Sequence, residues 1–179
     1  MSVRRIVLTG GECTGKTTLA RAFAERWETA WAAEAAREVA LARPAGLGPD
    51  DVPAIARLHM RLADKAALAA EEAGKALVFL DQDLVSTVVY ARHYYGTCPL
   101  WIERMALERK GDLYLLCHPD LPWATDGVRD RPEARAEIHA LFGAALARAG
   151  VRVADVAGVG KERAAPAESA VVDLLARGA

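Results

Sequence analysis

Eight consecutive residues carry the most specific chemistry in this chain: Gly10-Gly11-Glu12-Cys13-Thr14-Gly15-Lys16-Thr17. Their spacing is G-x-x-x-x-G-K-[ST], in which the bounding glycines take backbone shapes closed to larger residues and successive amide N–H groups turn inward on an anion. Lys16 is then placed to bridge the terminal phosphate oxygens, and Thr17 to offer its hydroxyl to Mg²⁺. The whole run, with Thr18 in the first helical turn behind it, is expected to hold the phosphates of ATP. An ordinary glycine turn with a surface lysine is the plain alternative. It is disfavoured because an apolar run precedes the motif and a helical pattern follows it.

Three further groups stand where phosphoryl transfer needs charge. Asp81 and Asp83 flank Gln82 at the end of the apolar run Ala76–Leu80. A carboxylate there can hold the Mg²⁺ shell or take the proton of an attacking hydroxyl. Asp81 is favoured for function, because a carboxylate ending a buried strand needs a partner; for Asp83 a helix N-cap is an equal reading. Glu34, followed by Arg37, can orient or deprotonate an acceptor, or be a solvated helical charge. Arg129, Arg131 and Arg135 sit with Asp126 and Asp130 in and after a proline-rich loop, and 119–135 reads as a lid. A guanidinium there can offset charge on the moving phosphoryl, with Arg129 as catalytic candidate and Arg131 on the nucleotide; a solvated salt-bridge cluster is the bland alternative. Trp123 can stack on a heteroaromatic ring. His59, His93, His118 and His139 have no metal-ligand spacing and receive no role.

The elements that must position these groups follow from periodicity. Val3–Leu8, Ala76–Leu80 and Asp112–Cys117 read as buried strands, Val151–Val156 as a further strand, and Trp27–Ala33 as an ambiguous one. Helices are expected over 17–27, from Asp50 or Asp51 to Gly74, and over 84–95, 100–109, 133–149 and 166–176. Strands alternating with helices predict an α/β fold with a parallel sheet covered on both faces, and ligands at the carboxyl ends of its strands.

Composition narrows the partners. The 179 residues suit a single domain, 1–179, with 53% hydrophobic and 26% charged residues. A formal net charge of −1 gives no basic field for nucleic acid, and no apolar run is long enough to span a membrane. Cys13, Cys98 and Cys117 are widely spaced, which suits reduced thiols and a cytoplasmic setting better than a disulfide frame or zinc site. Arg4 and Arg5 are followed by only three apolar residues, too few for a signal core. Oligomeric state leaves no mark.

Taken together the motifs resemble the ribosylnicotinamide kinase domain of NadR-type proteins, within the P-loop nucleoside-kinase superfamily and its relatives described as AAA-type ATPases. The resemblance rests on Gly10–Thr17, on Glu34-Ala35-Ala36-Arg37-Glu38, on Asp81-Gln82-Asp83-Leu84 with Thr87 and Tyr90, and on 112–116 leading to Pro119-Asp120-Leu121-Pro122-Trp123 and Asp126-Gly127-Val128-Arg129. It implies a three-layer fold with five parallel strands, and ATP-dependent phosphorylation of nicotinamide riboside to nicotinamide mononucleotide in NAD salvage. Full-length members carry an adenylyltransferase domain ahead of the kinase. With the motif at Gly10, that domain and a helix-turn-helix are not expected here. A kinase of another nucleoside, or a regulatory module that senses ATP or GTP, are the rival expectations.

Overall fold

The computed structural model describes residues 3–43, 46–124 and 132–177. Five strands, β1 (Arg4–Thr9), β2 (Trp31–Ala32), β3 (Leu77–Asp81), β4 (Leu113–Cys117) and β5 (Val153–Val156), form one sheet in the order β2-β3-β1-β4-β5. Every pairing is parallel. The five-stranded α/β architecture expected from the sequence is therefore the one observed. The helices are α1 (Lys16–Arg26), α2 (Ala35–Leu41), α3 (Val52–Glu72), α4 (Leu84–Tyr95), α5 (Leu100–Glu108), α6 (Arg135–Ala149) and α7 (Lys161–Ala176).

The central strands β1, β3 and β4 are apolar where both faces are covered. Side chains alternate across a strand, so Ile6 and Leu8 join Phe79, Leu113 and Leu115 against α1 and α7, while Val7, Val78, Leu80 and Tyr114 meet α3, α4, α5 and α6. Register fixes this: Ile6 stands beside Phe79 on one side and Leu113 on the other. Burying a side chain of this size contributes about 1.5–3 kcal/mol. A one-residue slip of β1 would turn each of these onto the wrong face.

Two local expectations are corrected. The second strand is only two residues long, since α1 ends at Arg26 and β2 sits at the sheet edge with a single neighbour. The last helix begins at Lys161, five residues before Pro166, which lies inside it. A proline near a helix start removes one backbone bond, and here the first turn is held by Arg163, described below.

Strand β1 lies at the centre of the sheet, and its carboxyl end delivers the glycine-rich loop. The ends of β2 and β3 open on one side of that loop and those of β4 and β5 on the other. Among the described residues, no helix is long and apolar enough to cross a membrane.

Candidate active site

The loop after β1 has the backbone that its glycines were expected to permit. Gly10 has φ +126°, and a Cβ there would meet the Cys117 carbonyl oxygen at 2.6 Å. No side chain fits. Gly15 has φ +75° immediately before α1, and Cys13 also takes a left-handed conformation, φ +54°. Helix α1 starts with no side-chain cap and no acidic residue in its first turn, so its free N–H groups and positive dipole end face the loop unneutralised. That is the electrostatic setting of an anion site.

Inside the loop, the Gly11 carbonyl accepts hydrogen bonds from Thr14 Oγ1 at 2.8 Å and from Lys16 Nζ at 2.6 Å. Lys16 is only 7% exposed, so its ammonium is held over the loop rather than in solvent. Glu12 is half-buried, and Thr17 and Thr18 are exposed on the first turn of α1.

Thr17 Oγ1 donates to Asp81 Oδ2 at 2.5 Å, joining the end of the loop to the end of β3. Asp81 is 1% exposed, and its Oδ1 has no hydrogen-bond partner. Burial pushes its carboxyl up to about 6, opposed by the Lys16 ammonium and reinforced by the Glu34 carboxylate. At neutral pH it is ionised, with one sealed oxygen unmatched. An all-oxygen set of carboxylate and hydroxyl suits Mg²⁺, and the orphaned Oδ1 is the atom such an ion would satisfy.

Asp83 proves to be structural. Its Oδ1 accepts from Val85 N at 2.9 Å as the N-cap of α4, and its Oδ2 accepts from the Tyr114 hydroxyl at 2.5 Å. Burial also raises this carboxyl to about 6, opposed by those hydrogen bonds. With both oxygens engaged inside the core, the balance left open by the sequence falls to the cap.

A second polar group lies on the other side of Asp81. Glu34, at the N-terminus of α2, accepts from Gln82 Nε2 at 3.0 Å, and Gln82 itself has φ +73°. Gln82 Oε1 and the Tyr90 hydroxyl are both sealed from solvent and face one another, with no other polar partner for either atom. Burial drives the Tyr90 phenol well above its ordinary range, and the Glu34 and Glu12 carboxylates add to this. Tyr90 stacks with Tyr94, ring centroids 6.0 Å apart. Glu34, Gln82 and Tyr90 thus gather beside the phosphate loop, as a site for a polar, ring-bearing acceptor would require.

Of the arginines expected in the lid, Arg129 and Arg131 fall outside the described residues. Arg135 is described: its Nη2 donates to the carbonyls of Cys13 at 3.2 Å and Leu121 at 2.8 Å. Its guanidinium lies 5.9 Å from the Trp123 ring centroid. Trp123 therefore faces a protein cation beside the phosphate loop, and the aromatic rings near Glu34 and Gln82 are tyrosines.

Arg163 was not singled out from the sequence. It is 5% exposed, and its two terminal nitrogens donate to Asp120 Oδ1 at 2.6 Å and to the carbonyls of Gly158 at 2.9 Å, Thr14 at 2.6 Å and His118 at 3.0 Å. One guanidinium thus ties the phosphate loop to the segments following β4 and β5. Asp120 completes the clasp by accepting from Gly158 N at 2.6 Å. The available signal was an arginine three residues after Gly160, masked by the expectation that the helix began at Pro166. Arg163→Ala is expected to cost about 1–3 kcal/mol, by leaving the buried Thr14 carbonyl and the part-buried Gly158 and His118 carbonyls unmatched, and to weaken ATP binding. Arg163→Lys is expected to recover little of this, since an ammonium cannot span the fork. Urea unfolding and nucleotide titration of both variants check it.

Residues 5–163 match the family model described as AAA domain. The chain is 30% identical over 131 residues to the trifunctional NAD biosynthesis/regulator protein NadR of Escherichia coli (strain K12), covering 71% of this chain and 31% of that protein. The same identity and coverage hold for NadR of Salmonella typhimurium (strain LT2). The chain thus spans about a third of the length of these curated relatives. In fold it is similar to a crystal structure of NadR protein in complex with NR, with TM-score 0.75 and 24% identity over 90% of this chain and 46% of that one. A second NadR structure, in complex with NAD and AMP-PNP, has TM-score 0.71 and 22% identity over 97% of this chain and 49% of that one. Thymidylate kinase from Ehrlichia chaffeensis gives TM-score 0.65 and 15% identity over 96% of this chain and 99% of that one.

Proposed function

The chain belongs to the AAA domain family, and from that premise we propose that it is an ATP- and Mg²⁺-dependent kinase of nicotinamide riboside. The observation that carries this reading is the adjacency of two unlike sites at Asp81. On one side stand the anion cradle of residues 10–17 and the Thr17–Asp81 oxygens; on the other, Glu34 and the buried polar groups of Gln82 and Tyr90. A donor phosphate and a hydroxyl acceptor would meet between them. A ribose hydroxyl can hydrogen-bond to the Gln82 and Tyr90 groups, and the stacked Tyr90–Tyr94 pair suits a cationic pyridinium. Similarity to NadR, whose structure was solved with NR, supports the same acceptor.

The residues divide the work as follows. Backbone amides of 10–17 and Lys16 hold the triphosphate and gather negative charge at the γ-phosphoryl. Thr17 and Asp81 would hold Mg²⁺, which, when bound, neutralises charge on the phosphate oxygens. Asp83 is sealed in the core and Asp81 faces Thr17, so Glu34 is the base. It takes the proton of the 5′-hydroxyl as the bond from phosphorus to the acceptor oxygen forms and that to the β-phosphate oxygen breaks. Gln82 orients Glu34, while Arg129 and Arg131 supply guanidinium charge from the lid. The wide spacing of the cysteines supports a reducing, cytoplasmic setting.

Incubation with Mg-ATP and a panel of nucleosides tests this. The expected result is nicotinamide mononucleotide from nicotinamide riboside and little ADP without an acceptor. A different monophosphate would overturn the acceptor but keep the mechanism. ATP hydrolysis without transfer to any nucleoside would favour a regulatory ATPase and overturn the kinase reading.

A further inference from the structure

Three residues far apart in sequence, with no ligand spacing between them, are brought together at the edge of the sheet away from Glu34. His118 follows β4, Asp155 lies in β5, and His139 projects from α6. One ligand atom from each lies within 4.8 Å of the others. His118 Nε2 is 2.8 Å from Asp155 Oδ1, and the His118 and His139 ring centroids are 4.4 Å apart. The scaffold is firm: Leu116 and Cys117 are in register with Asp155 and Val156, and His118 N donates to the Val156 carbonyl at 2.9 Å.

Chemistry distinguishes this cluster from a simple ion pair. His139 Nδ1 is closed to solvent and has no hydrogen-bond partner, an unmatched polar atom that the phosphate-loop chemistry does not use. Two imidazoles and a carboxylate make the three-ligand set of an open zinc-type site, with a position left for water. Bonds of about 2.0–2.2 Å in tetrahedral geometry place ligands roughly 3.3–3.6 Å apart. The His118–Asp155 spacing of 2.8 Å is shorter than this and every pair lies within 4.8 Å, so side-chain rotation on a fixed backbone brings the set to a metal. Mg²⁺ prefers oxygen and would favour Asp81 and Thr17 instead.

We propose that His118, His139 and Asp155 bind a transition-metal dication of the zinc class, at a site separate from the magnesium oxygens. Its position gives it a route to the phosphate loop. The His118 carbonyl accepts from the same Arg163 nitrogen that holds the Thr14 carbonyl. A metal pinning His118 to β5 and α6 therefore braces the clasp beside the nucleotide, and raises the stability of the folded chain with the logarithm of free metal above its Kd.

Co²⁺ serves as the probe. Untagged, metal-free full chain is titrated with CoCl₂ in excess Mg²⁺ and followed by visible absorption and by Tm. One equivalent is expected to give a saturable band, displaced by Zn²⁺, with a rise in Tm. His139→Ala and Asp155→Asn are each expected to weaken Co²⁺ binding at least about tenfold and to abolish the Tm rise. Unchanged apo Tm and Mg-ATP binding in these variants show that they are folded. Absence of a saturable band overturns the proposal, as does Co²⁺ binding of undiminished affinity in both variants.

Discussion

Lys16→Ala is expected to reduce kcat/KM for ATP by about a thousandfold or more, the scale of losing a preorganised charge at a developing phosphoryl anion. The Lys16 ammonium is 7% exposed and bonded to the Gly11 carbonyl, so it is already inside the cradle and needs no rearrangement of the chain to reach a phosphate. The Gly11 carbonyl keeps its bond from Thr14 in the variant, and α1 still starts at the same uncapped turn. The fold should therefore survive while phosphate affinity falls. Steady-state kinetics with a calorimetric ATP titration check both, and turnover within tenfold of the parent would remove Lys16 from the mechanism.

Asp81→Asn is expected to separate stability from activity. In the folded chain the Asp81 carboxyl is raised from 3.8 to about 6, chiefly by burial. The folded state then binds its proton more tightly than the unfolded one, so stability falls as pH rises from about 4 to about 6 and is level above that. Above pH 6 the ionised carboxylate costs roughly 2–3 kcal/mol, which asparagine does not incur. The variant should melt about 4–12 °C higher at pH 7.5, with the gain shrinking toward pH 4 where Asp81 is itself protonated. Asp83 titrates over the same range and is common to both proteins, so the difference between their melting curves isolates Asp81. Phosphoryl transfer should drop at least about a hundredfold, because the oxygen that meets the Mg²⁺ is lost. In the parent, activity should fall as pH drops below about 6. A variant that is less stable at neutral pH, or that keeps its magnesium dependence unchanged, would contradict this account.

Such a trade marks where local rules yield to function. The strands Ile6–Leu8, Leu77–Leu80 and Leu113–Cys117 were legible because a doubly covered parallel strand has no polar position to disguise it. The phosphate loop was legible because its chemistry is contiguous. Helix α2 was not, since residues 34–38 were read for charge, and its seven residues carry too little periodicity to compete. β2 is an edge strand of two residues whose extent depends on β3 beside it.

Long-range partners account for the remaining gaps. Asp83 and Tyr114 are 31 positions apart, and nothing in Asp-Gln-Asp says which carboxylate turns into the core. Arg163 reaches a carbonyl 149 positions earlier, so its role exists only once the sheet has set the ends of β1, β4 and β5 side by side. His118 and Asp155 meet for the same reason. Sequence supplies the types of these side chains; the parallel register supplies the distances.

The most direct test of the central claim is a crystal structure of the chain with Mg²⁺ and a non-hydrolysable ATP analogue. The account predicts the β- and γ-phosphates within the amides of residues 11–17, Lys16 Nζ moved from the Gly11 carbonyl onto phosphate oxygen, and magnesium against Thr17 and Asp81. A nucleotide bound elsewhere, with Lys16 still on Gly11 and Asp81 Oδ1 still unmatched, would contradict it.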